Sequence, residues 1–291
     1  MTANRPLPDF VVIGALRAGT TSLSALLEQI DQICLTEFKE PDYFIEELNF
    51  KKGPAWYEGL FDDRTKICGD ISPNYYSNDK FGDVPRRIFE ASPRAKIIYV
   101  VRDPIERARS HYQQIWAKGG YLPDPDRLVG TPEGNHIFDG SRYMKQLKPY
   151  LEYFPREQVK IVTFTQITQF PDRALKQVCE FLNLSVPEQM LGGTQAEWRN
   201  SSQTLATVPT WWKRTSSWAK RNENPLIRRM AKMAPRSIVL KVRDIVSPRQ
   251  KSVNRPPEFD SEVKEKICEV IRDDINDFRK WTGLSFENWS V

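Results

Sequence analysis

Short apolar runs alternate with amphipathic segments between residues 9 and 182. The apolar runs lie at 9–14, 65–70, 95–101 and 158–164, and the amphipathic helical patterns lie at 20–30, 80–91, 104–117 and 171–182. Apolar strands separated by helices are typical of β-α-β units, in which a parallel sheet is covered by helices on both faces. The pattern therefore predicts an α/β fold with a central parallel sheet.

The rest of the chain is less regular. Residues 119–140 are rich in Gly, Pro and Asp, which indicates a long surface loop. Residues from about 192 to 257 are aromatic and basic without a clear period, and an amphipathic helix is predicted from about 260 to 281. A chain of 291 residues can form one substantial core. We therefore predict a single domain over residues 1–291, with the irregular segment as a cap.

Composition narrows the class of protein. Hydrophobic residues at 40% and charged residues at 28% are ordinary for a globular protein. No apolar run approaches the roughly 18–20 residues needed to span a bilayer, and the first residues lack the apolar core of a signal peptide. Cys34, Cys68, Cys179 and Cys268 are widely spaced, without a CxxC pair. We therefore predict free thiols in a reducing cytoplasm, no membrane span and no metal site.

The net charge of +5 is unevenly distributed along the chain. Residues 211–255 contain thirteen Lys and Arg residues against two acids, whereas residues 36–48, TEFKEPDYFIEEL, are acidic. A basic segment favours an anionic ligand, and an acidic segment near a pocket repels one. The distribution predicts an anion site with a less anionic second ligand beside it.

The stretch VVIGALRAGTTSL, residues 11–23, has the frame of a phosphate-binding loop. Gly14 and Gly19 are separated by four residues, and the helix that follows offers free N–H groups and a positive dipole end to an anion. A Walker loop has lysine directly after its second glycine, but this chain has Thr20 there and Arg17 as the nearest cation. The loop therefore predicts an anion other than a magnesium-bound nucleoside triphosphate, although a plain helix N-terminus with hydroxyl residues is the alternative.

A second motif is VVRDPIERARSHY, residues 100–112. Arg102 closes a strand, and Pro104 suits the first turn of the next helix. An arginine at a strand end can form a forked contact with a phosphate. The alternative is an Asp103–Arg107 pair at the helix start, with Arg102 merely exposed.

A third motif is FKEPDYF, residues 38–44. Glu40 precedes Pro41, and a residue before proline favours an extended backbone. A carboxylate held on such a loop can take a proton from a hydroxyl or an amine. The alternative is a solvated charge pair between Lys39 and Glu40 in a turn.

The carboxyl ends of three predicted strands carry Gly14, Asp70 and Arg102. Ligands of parallel α/β sheets bind at the carboxyl ends of the strands. The motifs that follow these strands are therefore predicted to converge on one site.

Taken together, the three motifs resemble those of sulfotransferases. The first resembles the 5′-phosphosulfate loop and the second the 3′-phosphate motif, and the nearest resemblance is to carbohydrate sulfotransferases of the heparan sulfate type and related bacterial enzymes. Further segments fit at 69–76 (GDISPNYY), 143–164, 181–184 and 281–289. The resemblance implies a P-loop-like three-layer α/β fold with a central parallel sheet. It also implies transfer of a sulfuryl group from 3′-phosphoadenylyl sulfate (PAPS) to a hydroxyl or amine, with release of adenosine 3′,5′-bisphosphate (PAP).

The resemblance assigns roles to residues by motif. Arg17 stands where the family's loop usually has lysine and would contact the bridging oxygen and the sulfuryl group. Glu40 falls on the general base. The 5′-phosphate would be bound by Ala18, Gly19, Thr20, Thr21 and Ser22, the 3′-phosphate by Arg102 and Ser110, and a late nucleotide-closing loop would comprise Lys251, Ser252, Val253, Asn254 and Arg255. The acceptor would be contacted by Lys39, Asp42, Phe44, Asp70 and Tyr75.

Two departures from the heparan sulfate enzymes concern the acceptor. Asp42 stands where those members often have histidine, and Ile71 stands where they have lysine. Both differences remove potential positive charge, and Asp70, Glu46 and Glu47 would reinforce the effect if they face the pocket. We therefore expect a neutral or cationic small molecule rather than a polyanionic glycan, although a carbohydrate acceptor remains compatible with the family.

Two other functions compete with sulfuryl transfer. A P-loop kinase for a small molecule would need Mg²⁺ and a Walker lysine, which is absent at residue 20. A non-catalytic module binding nucleotides or polyanions through residues 211–255 gives no reason for Glu40 and the aromatic residues beside it. We predict no metal requirement and no nucleic-acid partner, and the sequence leaves the oligomeric state open.

Overall fold

The structure, a computed structural model, describes residues 6–76, 81–117, 122–185 and 256–291. In these ranges five strands form one sheet. They are β1 (Phe10–Gly14), β2 (Ile33–Leu35), β3 (Ile67–Ile71), β4 (Lys96–Val101) and β5 (Val159–Thr163). All neighbouring strands are parallel, in the order β2-β3-β1-β4-β5. This confirms the predicted central parallel sheet.

The helices that flank the sheet follow the strands in sequence. They are α1 (Thr20–Leu27), α2 (Pro54–Glu58), α3 (Val84–Ala91), α4 (Pro104–Ala117), α5 (Pro132–Asp139), α6 (Tyr143–Leu151), α7 (Phe164–Gln169), α8 (Pro171–Phe181) and α9 (Ser261–Thr282). Single 3₁₀ turns lie at Phe50–Lys52, Pro73–Tyr76, Pro125–Arg127 and Arg156–Gln158. Helix α1 packs with α7 and α8, whereas α9 packs with α4 and α6.

Strand order explains why β1 is central to the site. After β1 the chain forms β2 and β3 on one side of it and then crosses to form β4 and β5 on the other. Every residue of β1 is buried, as expected for a strand covered on both faces. Ligands of doubly wound sheets bind where the strand order reverses. The carboxyl end of β1 therefore lies at that point.

The predicted loop over residues 119–140 is wrong in its second half. Thr131 caps helix α5, since its Oγ1 accepts a hydrogen bond of 3.1 Å from Gly134 N–H, and Pro132 occupies the first turn. Ile137 and Phe138 are fully buried. Here an N-cap and two core side chains override the turn-forming composition. The short elements β2, α2, α6 and α7 were also not predicted separately.

Helix α9, predicted at about 260–281, is confirmed and supports the start of α6. The Asp274 carboxylate accepts hydrogen bonds from Met144 N–H (3.0 Å) and Lys145 N–H (2.7 Å). The ring of Phe278 packs 5.5 Å from the ring of Tyr143. The chain's last helix therefore fixes the N-terminus of α6, including Tyr143.

All described residues belong to one compact unit. Most of the predicted cap, residues 192–257, lies outside the described residues, so the single-domain arrangement stays a prediction. Cys34, Cys68, Cys179 and Cys268 are free and buried, as expected; the cytoplasmic location stays a prediction. Among the described helices, none is long and apolar enough to cross a membrane.

Candidate active site

The anion loop predicted between β1 and α1 ends in an uncapped helix start. Gly19 is the N-cap with φ +105°, no side chain caps α1, and its first turn has no acidic residue. Ser22 and Leu23 N–H both bond to the Gly19 carbonyl at 3.0 Å. The N–H groups before them have no helical carbonyl to bind, which is the arrangement that binds anions at helix N-termini.

Arg17 joins the first motif to the second. Its φ is +70°, and its Nε donates a hydrogen bond of 3.0 Å to Ser110 Oγ on α4. Burial, followed by the nearby charges of Arg102 and Arg107, lowers the pKa of Arg17. Guanidinium groups this close repel one another, so the cluster favours a bound anion.

The backbone of Arg102 is fixed by Tyr143. Arg102 N–H donates to Tyr143 Oη (3.2 Å), and Tyr143 O–H donates to the Arg102 carbonyl (2.6 Å). The Arg102 guanidinium lies 3.5 Å from Glu106, and burial is the main cause that lowers its pKa. The backbone of Arg102 at the end of β4 is thus held in place, and its side chain is paired rather than free on the surface.

Phe164, which sequence reasoning missed, lies between the two anion motifs. The Arg102 guanidinium lies 4.5 Å from the centre of its ring, and a Cβ at Gly19 would come within 2.8 Å of its Cδ2. Phe164 directly follows β5. The rule that ligands bind at the carboxyl ends of parallel strands was therefore a signal for it. A cavity of about 410 Å³ opens beside Arg102 and Phe164.

Arg107 is the second residue that sequence reasoning missed. Its side chain is fully buried. Its Nε donates to Ser141 Oγ (2.7 Å), its Nη1 to the Leu16 carbonyl (3.3 Å) and its Nη2 to the Ile137 carbonyl. The alternative of an Asp103–Arg107 side-chain pair is wrong, since the Asp103 carboxylate accepts from Glu106 N–H instead (2.8 Å). Arg107 thus supports the anion loop from the protein interior, through its hydrogen bond to the Leu16 carbonyl.

Glu40 lies at the carboxyl end of β3. Its N–H donates a hydrogen bond of 3.2 Å to the Ile71 carbonyl. Its φ is +61°, so the extended backbone predicted from Pro41 is wrong, and a left-handed residue there is strained. The hydrogen bond to β3 holds Glu40 in this conformation.

Lys39 connects the Glu40 segment to the anion loop. Its Nζ donates to Thr21 Oγ1 at 2.6 Å and lies 3.1 Å from Glu40 Oε1. The Lys39–Glu40 charge pair considered from the sequence therefore exists, but it lies against the anion loop. Contacts to Thr21 and Ser110 thus bring all three motifs together.

Comparison with known proteins identifies the family. The profile of the sulfotransferase domain matches residues 7–207. The chain belongs to the sulfotransferase family. Heparan sulfate glucosamine 3-O-sulfotransferase 3B1 of Mus musculus is 30% identical over 190 residues, covering 62% of this chain and 47% of that protein. Bifunctional heparan sulfate N-deacetylase/N-sulfotransferase 1 of Caenorhabditis briggsae is 23% identical over 203 residues, covering 62% of this chain and 23% of that protein.

The matched region of this sulfotransferase spans less than half the length of these two relatives. A solved structure of a sulfotransferase from Alicyclobacillus acidocaldarius superposes with a TM-score of 0.66 at 19% identity, covering 99% of this chain and all of that one. This likeness confirms the P-loop-like α/β fold.

Three residues that were expected to contact the acceptor lie in the core of the sulfotransferase domain. Phe44, Asp70 and Tyr75 have no exposed surface. Tyr75 O–H donates to Asp70 (2.9 Å) and accepts from Phe44 N–H (3.2 Å). Their expected contact with an acceptor is therefore wrong for this structure, because an aromatic cluster with Tyr57 encloses them. They pack beneath residues 38–44, the segment that carries Glu40.

Asp42 is the acidic neighbour of Glu40 that stays partly exposed. Its N–H donates to Ser72 Oγ (3.1 Å), and its Oδ2 accepts from Asn74 (3.0 Å). Burial raises the pKa of Asp42 to about 7. Glu46 pairs with Arg87 at 2.7 Å, and Ile71 is buried. Of the acidic residues expected beside the acceptor, Asp70 is buried and Glu46 is paired, whereas Glu40, Asp42 and Glu47 keep exposed surface.

The predicted late loop, Lys251–Arg255, lies outside the described residues of the sulfotransferase chain. Its role in closing on the nucleotide stays a prediction. Among the described residues, no group of three or more His, Cys, Asp or Glu side chains could hold a metal ion.

Asp70 predicts a dependence of stability on pH. Burial raises its pKa from 3.8 to about 6, so the folded state binds this proton more tightly than the unfolded chain. The stabilisation is complete below about pH 4 and is lost as the pH rises to about 6. We expect Asp70→Asn to remove about 3 kcal/mol of that variation in the free energy of unfolding, measured by urea unfolding between pH 4 and pH 7.

The control for this experiment is Asp273, an exposed carboxylate on α9. Asp273→Asn should leave the pH profile of the parent unchanged. Because burial also raises the pKa values of Asp42 and Asp274, some slope should remain in Asp70→Asn. Identical slopes for the parent and Asp70→Asn would contradict the prediction.

Proposed function

We propose that this protein transfers a sulfuryl group from PAPS to a hydroxyl or amine of an acceptor and releases PAP. The observation that carries the proposal is that Lys39 holds the Glu40 carboxylate against Thr21 of the anion loop. A proton acceptor thereby lies beside the loop that would bind the reacting end of the donor. Membership of the sulfotransferase family supports the same reaction.

The donor's two anionic ends match the two anion motifs. The residues proposed for the 5′-phosphosulfate are Ala18, Gly19, Thr20, Thr21 and Ser22. Their uncapped helix start offers N–H donors to the phosphate. Arg102 and Ser110 are proposed for the 3′-phosphate, with the Arg17 guanidinium between the two motifs. Lys251–Arg255 are proposed to complete the nucleotide site.

The proposed reaction needs a base and a group that stabilises negative charge. A bond forms from the acceptor oxygen or nitrogen to sulfur while the bond from sulfur to the 5′-phosphate oxygen breaks, and its electron pair stays on that oxygen. The acceptor's proton goes to Glu40. The helix start and nearby cations stabilise the charge that develops on the phosphate. We predict that no metal ion is required, because the leaving phosphate already lies among these donors.

The kinase alternative is weaker than sulfuryl transfer. Phosphoryl transfer in P-loop enzymes uses a lysine at the position of Thr20 and a bound Mg²⁺. A purely binding module gives no reason for a strained glutamate held against the anion loop by a lysine.

Two observations concern the acceptor. Asp42, beside Glu40, replaces a residue that is often histidine in the heparan sulfate enzymes, and this supports a neutral or cationic small molecule. The names of the relatives, which are heparan sulfate sulfotransferases, favour a glycan as the second candidate. We propose the neutral or cationic acceptor, with Glu40 and Asp42 as the acidic groups nearest to it.

The reaction and its acceptor can be tested together. Purified protein is incubated with sulfur-labelled PAPS and a panel of neutral alcohols, amines, neutral sugars and heparan-like oligosaccharides, and PAP binding is measured by calorimetry. We expect PAP binding and transfer to at least one alcohol, sugar or amine. Preference for the heparan-like oligosaccharide would contradict the proposed acceptor, and failure to bind PAP would contradict the reaction.

A further inference from the structure

The cation at the family's loop position is hydrogen-bonded to the second motif. Arg17 Nε donates to Ser110 Oγ at 3.0 Å, and Ser110 belongs to the motif proposed for the 3′-phosphate. Arg17 also lies close enough to Arg102 and Arg107 for their charges to act on it. Arg17 is therefore committed to the side of the site formed by β4 and α4.

Another cation lies on the opposite side of the anion loop. Lys39 follows β2, and its Nζ lies 2.6 Å from Thr21 Oγ1 and 3.1 Å from Glu40 Oε1. An ammonium group has three donors. Two of them serve Thr21 and Glu40 here, which leaves one for a further anion beside the loop. The Lys39 side chain is 30% exposed, so this donor is accessible.

We propose that Lys39, rather than Arg17, is the catalytic cation that contacts the sulfuryl group of the donor. This inference rests on the proposed sulfuryl transfer. It also changes the role expected for Lys39 from the sequence, which was contact with the acceptor. The two contacts that the resemblance assigns to one loop lysine are then divided, with Arg17 at the phosphate and Lys39 at the sulfuryl group.

The charges that change during transfer explain why this position is effective. Glu40 is negative before the reaction and becomes neutral as it takes the acceptor's proton, so the Lys39 ammonium between Glu40 and the loop then acts on the sulfuryl oxygens alone. The negative charge that grows on the 5′-phosphate oxygen as its bond to sulfur breaks is stabilised by the helix start and the arginine cluster. An interaction that strengthens only as the reaction proceeds lowers the barrier.

The test compares two cations and two ligands. In the Glu40→Gln background, which should not turn over the donor, the affinities for PAPS and PAP are measured by calorimetry with and without Lys39→Met. We expect Lys39→Met to reduce the preference for PAPS over PAP about tenfold, the effect of one charge-assisted contact, and to leave PAP binding unchanged. Arg17→Met, in contrast, should weaken binding of both ligands.

Turnover provides the second readout. With Glu40 present, Lys39→Met should lower kcat about 100-fold, the usual effect of removing one such group, and Lys39→Arg should restore part of it. The matched control is Lys280→Met, which removes an exposed lysine that pairs with Asp277 at 3.2 Å on α9. This variant should match the parent in both assays.

The outcomes separate this inference from the proposed function. If the parent transfers sulfuryl groups and Lys39→Met retains its kcat and its preference for PAPS, the role of Lys39 is wrong and the function stands. An equal loss of PAPS and PAP affinity would place Lys39 in the 5′-phosphate site and also overturn the inference. A parent that neither binds PAP nor transfers sulfur would overturn both.

Discussion

We expect Glu40→Gln to lower turnover at least about 100-fold, the lower end of what a general base contributes, while PAP binding stays nearly unchanged. Glutamine keeps the size of the side chain and the N–H bond of residue 40 to the Ile71 carbonyl, but its amide cannot take a proton. Single-turnover assays with labelled PAPS measure the chemical step, and calorimetry measures PAP binding.

The control for this variant is another carboxylate of the same acidic segment. Glu47 is exposed, and Glu47→Gln lowers the negative charge of residues 36–48 by the same amount. It should keep the parent's turnover. Near-normal rates for Glu40→Gln would show that another group takes the acceptor's proton, and equal losses in both variants would show that the charge of the segment, rather than a base, is what matters.

Arg107→Met should destabilise the fold by about 3 kcal/mol or more. The variant leaves the buried Ile137 carbonyl and Ser141 Oγ, and the partly buried Leu16 carbonyl, without their donor, and each buried unsatisfied group costs about 1–3 kcal/mol. Methionine fills much of the space, so the loss should come from the polar groups rather than from a cavity. Urea unfolding measures the change in free energy.

The same variant should also weaken PAP binding at temperatures where it remains folded, because Arg107 holds the carbonyl that precedes Arg17. Arg86→Met is the control, since Arg86 is exposed and pairs only with Asp83 and Glu90 among the described residues. It should leave both stability and binding close to those of the parent. Unchanged stability of Arg107→Met would mean that water replaces the lost donors.

Much of the fold could be predicted because each main strand and helix has its own local pattern. The carboxyl ends of β1 and β4 place Gly14 and Arg102 correctly, since periodicity and strand ends are properties of short segments. The contacts of Arg107, Tyr143 and Lys39 could not be predicted in this way. Their hydrogen bonds join residues up to 91 positions apart, and no local pattern records which side chains will meet.

Residues 38–76 show a different limit. Aromatic and acidic residues that follow one another in a sequence are compatible both with a ligand pocket and with a buried polar cluster. Asp70 and Tyr75 belong to the cluster because Tyr57, from a separate helix, donates a hydrogen bond of 3.0 Å to Asp70. The predicted loop at 119–140 is wrong for the opposite reason: the capping signal at Thr131 is present locally, but turn-forming residues surround it.

The position of β1 between β3 and β4 separates the residues proposed for the nucleotide from those proposed for the acceptor. Residues proposed for the nucleotide follow β1 and β4, whereas Glu40 and its acidic segment follow β2 and bond to the end of β3. Substitutions or grafts within residues 36–48 would therefore alter which acceptor is used without rebuilding the nucleotide site. Such a division allows one donor-binding scaffold to diversify across acceptors, provided that any exchanged segment retains Lys39, Glu40 and the buried side chain of Phe44.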